Sequence, residues 1–283
     1  MGVEQGKESP SFTGCFAFIG GSIGLLLANL SIFTLLYMLS HEQVIQYAWR
    51  IPFIIGAISC LILLLIRNRI DNTVPKVSNE DLSFANLIKN NKTELLGAFI
   101  VTNLSASAFY ITFIFMPTYL SISLKLYSHQ QSILLTLSAI LTYIIALPLA
   151  AILADRNGII MQIKTAAFLY LTFSIVLFYL LPYTGGIFCI FTLIIFSLIQ
   201  ALLNSALPAF IVTQLEFSQR GKALAISYNI SLTLFGGLMP YLILTTDNPI
   251  NPGIPISICA VLCLIFIYFK GKKYGYLRSE LSY

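Results

Sequence analysis

Long apolar stretches, broken only by short polar joints, limit this chain to one kind of fold. Residues 14–39, 48–66, 95–115, 131–153, 165–181, 187–212, 223–245 and 253–269 each run close to the ~20 apolar residues that a helix needs to cross a bilayer. The stretches neither alternate in polarity nor shorten to the ~10 residues of barrel strands. Helices are then the remaining spanning element, because backbone N–H and C=O groups in lipid must be paired within their own segment. Only 10% of the residues are charged and 58% are hydrophobic, whereas soluble domains carry roughly 25% charged residues. The expected class is an all-α polytopic membrane protein with about eight transmembrane helices.

Charge placement gives the expected orientation. With both termini cytoplasmic, fourteen Lys and Arg residues fall inside, among them Lys7, Arg67, Lys92, Arg156, Lys164, Arg220 and Lys273, and only Arg50 and Lys125 fall outside. This split obeys the positive-inside bias, and an odd number of spans would scramble it. The formal charge of +5 thus belongs to one membrane face and implies no nucleic-acid partner. The first residues carry Glu4, Lys7 and Glu8 and lack the basic start of a cleavable signal, so the first apolar run stays in the membrane.

Other joints are short, but 67–92 is long, polar and of mixed charge. It reads as a cytoplasmic linker that divides the chain into 1–70 with two helices, 71–92, and 93–283 with six. The five cysteines, Cys15, Cys60, Cys189, Cys259 and Cys263, lie in apolar runs and form no CxxC pair, so neither a zinc site nor a disulfide framework is expected. His41 and His129 fall in external joints without metal-ligand or catalytic spacing. No enzyme activity, metal or cofactor is expected.

The span middles hold almost no ionisable groups; Arg50, Glu94, Asp155, Glu216 and Asp247 stand near span ends. A central charge costs ~2.5–3.5 kcal/mol on insertion scales, so one would have marked a functional site. Neutral polar stripes take that place. Asn103, Ser107 and Tyr110 share a helix face, and Gln200 and Asn204 stack one turn apart. A facing pair of such stripes would line a polar cavity, with Asn29 and Asn229 as further candidates; the competing reading is interhelical hydrogen bonding. Gly20-xxx-Gly24 is packing spacing.

A series of short motifs adds a resemblance. Trp49-Arg50-Ile51-Pro52-Phe53 opens the second span, Met116-Pro117-Thr118-Tyr119-Leu120 closes the third, and Leu153-Ala154-Asp155-Arg156-Asn157-Gly158 forms the turn after the fourth. Leu207-Pro208-Ala209, Arg220-Gly221, Tyr228-Asn229-Ile230-Ser231 and Gly236-Gly237-Leu238-Met239-Pro240 follow in order. Together these resemble the metabolite:proton symporter branch of the major facilitator superfamily, which includes proline/glycine-betaine transporters. The resemblance begins at that family's fifth helix and runs through its twelfth, so it implies a partial major facilitator fold. That fold consists of a C-terminal six-helix half plus two helices of the first half, without the first four helices.

Several further expectations follow from the resemblance. Asp155, Arg156 and Gly158 would form a cytoplasmic gating turn in which the aspartate caps a helix end, with Arg220 in the corresponding turn of the repeat. The turn departs from the family pattern: Ala151 stands where a glycine opens it, and Ile159 and Ile160 stand where two basic residues follow. The implied function is proton symport of a small metabolite or osmolyte, a proline- or betaine-like zwitterion or a carboxylate, by a truncated or split transporter in the bacterial inner membrane. The alternative is a non-transporting remnant or accessory membrane helix bundle. The implied partners are membrane lipids, the solute, protons and a separate chain that supplies the absent helices.

Overall fold

A computed structural model describes residues 9–67, 89, 91–213, 217–244 and 251–275, and among these every regular element is helical. The 71–92 linker lies outside the described residues apart from Lys89, Asn91 and Lys92. Eight helices follow one another: α1 (Pro10–Met38), α2 (Arg50–Arg67), α3 (Lys92–Phe109), α4 (His129–Asn157), α5 (Ile159–Thr184), α6 (Gly186–Thr213), α7 (Phe217–Ser231) and α8 (Gly253–Gly275). With their extensions, seven are long and apolar enough to cross a membrane, and the apolar part of the eighth, Gly253–Phe269, is shorter.

Three helices are continued or entered by wide π turns. Val44–Ala48 leads into α2, and Tyr110–Phe115 with Tyr119–Ser123 carries α3 through Pro117 to Ser123, past the end at 115 that apolarity alone suggested. Leu232–Gly237 carries α7 on to Leu238–Leu244. Proline has no N–H for the helix ladder, and a local widening on either side of Pro117 accommodates that loss without ending the span.

Short joints make α4, α5 and α6 antiparallel neighbours. Gly158, at φ +99°, ends α4 and starts α5, a backbone conformation that a side chain disfavours. Ser128 caps α4 by accepting the Gln131 N–H at 3.2 Å, while the Gln131 side chain accepts the Ser128 N–H at 3.0 Å. The core lies among α3 to α6 and α8, where Phe113, Tyr143, Tyr170, Phe178, Phe196 and Phe210 are fully buried. α5 and α8 approach so closely that a Cβ on Gly253 would collide with the Ser174 backbone. There the Ser174 hydroxyl meets Ser257 Oγ at 2.7 Å, and Asn251 Nδ2 donates to the Ile175 carbonyl at 3.1 Å.

Helix α1 lies against α4 and α6. By contrast, α2 presents Phe53, Leu61, Leu63 and Leu65 outward, each more than half exposed. Lipid tails are as apolar as leucine, so such a face is suited to the bilayer.

Candidate functional site

Two polar centres emerge, one inside the bundle and one at its end. The inner centre is a continuous chain of neutral hydrogen bonds. Tyr170 on α5 donates its hydroxyl to Gln200 Oε1, and Gln200 Nε2 donates to the Ser105 carbonyl at 3.1 Å. The Ser105 hydroxyl donates to Asn204 Oδ1 at 2.5 Å, and Asn204 Nδ2 donates to the Tyr143 hydroxyl at 2.6 Å. Four helices are joined by side chains of which none is more than 4% exposed. Nearby, Gln162 Nε2 reaches the Ala150 carbonyl at 2.7 Å and Ser205 Oγ at 2.8 Å. An unpaired polar group here would cost several kcal/mol in a hydrocarbon setting, and the chain removes that cost.

Gln200 and Asn204 thus turn toward Ser105, Tyr143 and Tyr170. Asn103, Ser107 and Tyr110 sit on the other side of α3, against α7 and α8. There Ser107 Oγ points at the Phe235 carbonyl at 3.4 Å and at Cys259 Sγ at 3.6 Å, and the Tyr110 ring packs on Gly236. Asn103 is 6% exposed, and its Oδ1 has no hydrogen-bond partner among the described residues. Asn29 and Asn229 each donate to a carbonyl one turn back in their own helix, Leu25 at 3.0 Å and Ala225 at 2.8 Å.

Tyr143 carries the inner chain outward, since its hydroxyl lies beside Ser22 of α1 and within electrostatic range of Tyr228 of α7. Tyr228 in turn neighbours Tyr110. Alongside Tyr228 a cavity of about 240 Å³ opens between α1, α6 and α7, lined by Ala17, Phe18, Leu207, Pro208, Ile211 and Tyr228. Ser105, Tyr143 and Tyr170 were absent from the sequence candidates. The available signal was the need of a mid-span tyrosine hydroxyl for a partner.

The outer centre is the turn between α4 and α5. Asp155 accepts the backbone N–H groups of Ser11 at 2.9 Å and Phe12 at 3.0 Å, one on each carboxylate oxygen. These are orphan donors of the first turn of α1, where the helix dipole also favours negative charge. A second cavity, about 340 Å³ and lined by Ser9, Phe12, Ile152, Asp155 and Arg156, lies on this junction. Arg156 is exposed and Gly158 closes the turn. Arg220 stands in the first turn of α7, and its side chain lies outside what the structure describes.

Asp155 thus pins the start of α1 to the turn between α4 and α5. Comparison with known proteins decides the family: the Major Facilitator Superfamily model matches residues 7–240. The chain belongs to the Major Facilitator Superfamily. Among its superfamily relatives is a putative proline/betaine transporter of Staphylococcus aureus strain COL, 25% identical over 270 residues that cover 89% of this chain and 56% of the relative. A citrate-proton symporter of Salmonella typhi is 24% identical over 273 residues, covering 91% of this chain and 62% of the relative. A proline/betaine transporter of Salmonella typhimurium is 25% identical over 280 residues, covering 90% and 54%. The chain therefore spans little more than half the length of these superfamily relatives. No solved structure matches it. The helices and the family together make it a multi-pass integral membrane protein with the all-helical architecture of a partial major facilitator fold.

Proposed function

We propose that this chain forms the later part of a solute:proton symporter for a small metabolite, a proline- or betaine-like zwitterion or a carboxylate. In this reading it sits in a bacterial inner membrane with both termini in the cytoplasm. Residues 1–70 contribute two helices of the first half, 71–92 the central linker and 93–283 the second half. Transporters of this construction move solute by rocking one half against the other around a site near the bilayer midplane. The observation that carries the proposal is the Asp155 contact: α1, a first-half helix in this division, is held to the α4–α5 turn of the second half through two backbone N–H groups. Such a contact can break and re-form without unfolding either group. The relatives' substrates, proline or betaine and citrate, supply the solute classes.

The symporter needs further first-half helices in addition to α1 and α2. Expressed alone, the chain is expected to give no pH-driven uptake in cells that lack their own zwitterion transporters. Co-expressed with a co-purifying membrane partner, it is expected to accumulate radiolabelled proline or betaine, and a protonophore should abolish the accumulation. Uptake by the chain alone would overturn the split arrangement. Failure of uptake with a stable partner bound would favour the accessory-bundle reading, to which Ile159 and Ile160 in the eroded turn also speak.

A further inference from the structure

We infer that the cavity between α1, α6 and α7 is a contact site for the fully alkylated ammonium head of a small zwitterion, with the ring faces of Phe18 and Tyr228 as its recognition surface. The inference rests on the transport reading above and narrows it to one substrate class and one pair of residues.

The cavity lacks charged side chains. Its lining is Ala17, Phe18, Leu207, Pro208, Ile211 and Tyr228, with no Lys, Arg, Asp or Glu. A polycarboxylate entering it would lose hydration with no cation to offset the loss. A primary or secondary ammonium would bring N–H donors that need acceptors, and the aliphatic walls from Leu207 and Ile211 offer none. A quaternary ammonium brings positive charge, an apolar surface and no donor to satisfy. Aromatic faces attract such a head through the ring quadrupole.

The geometry supplies two such faces. Phe18 and Tyr228 are both half-buried, their ring centroids lie 6.5 Å apart and their planes are inclined by 63°. They meet in a tilted edge-to-face contact, with Leu207 and Ile211 on the cavity wall beside them. The opposite end of a zwitterion needs hydrogen-bond donors, and the hydroxyls of Tyr110 and Tyr143 lie within electrostatic range of Tyr228, that of Tyr143 beside Ser22. Asn204 and Ser105 hold Tyr143 in place from behind. A cavity of about 240 Å³ suits a small solute of this kind.

The whole lining comes from this chain, so binding can be read on the purified full chain in lipid nanodiscs, independently of uptake. Isothermal titration with glycine betaine and with citrate is the measurement. The expected result is betaine binding without citrate binding, with Tyr228→Phe within about threefold of wild type and Tyr228→Leu weaker by about tenfold. Phe18→Leu, with its unfolding temperature checked, serves as the second variant and is expected to weaken binding by a similar factor. Equal losses in Tyr228→Phe and Tyr228→Leu, citrate binding as tight as betaine, or an unchanged Phe18→Leu would each overturn the site while leaving the transport reading in place. Absence of betaine binding to folded wild type would also overturn it. Failure of uptake with a partner bound would bring down the transport reading instead.

Discussion

Helices α2 and α3 are both long and apolar enough to cross a membrane, and they are opposite in surroundings. In the most apolar stretch of α3 and its extension, 72% of residues are buried, and in that of α2 none is. The reason is what each helix carries besides apolar side chains. α3 brings Ser105 to Gln200 and Asn204, Ser107 to the Phe235 carbonyl, and the Phe99 carbonyl to the Ser231 hydroxyl at 3.3 Å. Among its described side-chain hydrogen bonds, α2 offers only local ones: the Arg50 guanidinium donates to the Gln46 carbonyl at 2.7 Å and the Ser59 hydroxyl to the Ile55 carbonyl at 2.9 Å. In lipid, apolar surface alone gives no reason for two helices to meet. Polar groups and close packing decide which helix is interior.

Substitutions that break those two features should therefore have the largest effects. A Cβ at Gly253 would overlap the Ser174 backbone, which cannot rotate away as a side chain would. Gly253→Ala is expected to destabilise the bundle by about 1–3 kcal/mol, read as a lowered unfolding temperature in detergent. Gln200→Leu leaves the Tyr170 hydroxyl without its acceptor and the Ser105 carbonyl without that side-chain donor. The expected cost is again about 1–3 kcal/mol, and Gln200→Glu, which keeps the acceptor for Tyr170, should cost less at a pH where it is protonated. A Gln200→Leu protein as stable as wild type would mean that the inner chain of hydrogen bonds does not hold the bundle together.

The sequence makes the class of fold legible because the bilayer imposes one length and one polarity on every span. It also marks Gln200, Asn204 and Asp155 as special, since amides and carboxylates are costly at such places. Their partners are hidden for a physical reason: Ser105, Tyr143 and Tyr170 are semi-polar residues that look like ordinary span residues until another helix arrives. The facing of stripes is equally hidden, because a helix such as α3 has polar groups on two sides and only packing decides which neighbour each side meets. Asn103 lies two residues from Ser105, and the helix turns it toward the opposite side. The π turns around Pro117 are hidden as well, since proline in a span reads as a boundary or as a kink with equal justice.

Helix α1, packed against α4 and α6, is held at its start by Asp155. Asp155→Ala removes both acceptors from the Ser11 and Phe12 N–H groups and is expected to loosen the start of α1 by about 1–2 kcal/mol. Cys15, fully buried one turn further along α1, reports the loosening: its alkylation by N-ethylmaleimide should rise roughly tenfold, while that of Cys263 on α8 should not change. An equal rise at both cysteines would indicate global unfolding rather than release of one helix.

The smallest effect should come from α2 itself. Leu61 is 61% exposed, and Leu61→Ala replaces a lipid-facing side chain with a smaller one without opening a cavity between helices. The change is expected to stay within about 0.5 kcal/mol, and the unfolding temperature of the isolated chain in nanodiscs should be unchanged. If Leu61→Ala instead lost stability comparable to Gln200→Leu, α2 would have to be packed against protein. Its exposed side would then be an interface with a second chain or a second copy. A shift seen only when a co-purified partner is bound would place that partner on this helix and tie the unlike surroundings of α2 and α3 to assembly rather than to lipid.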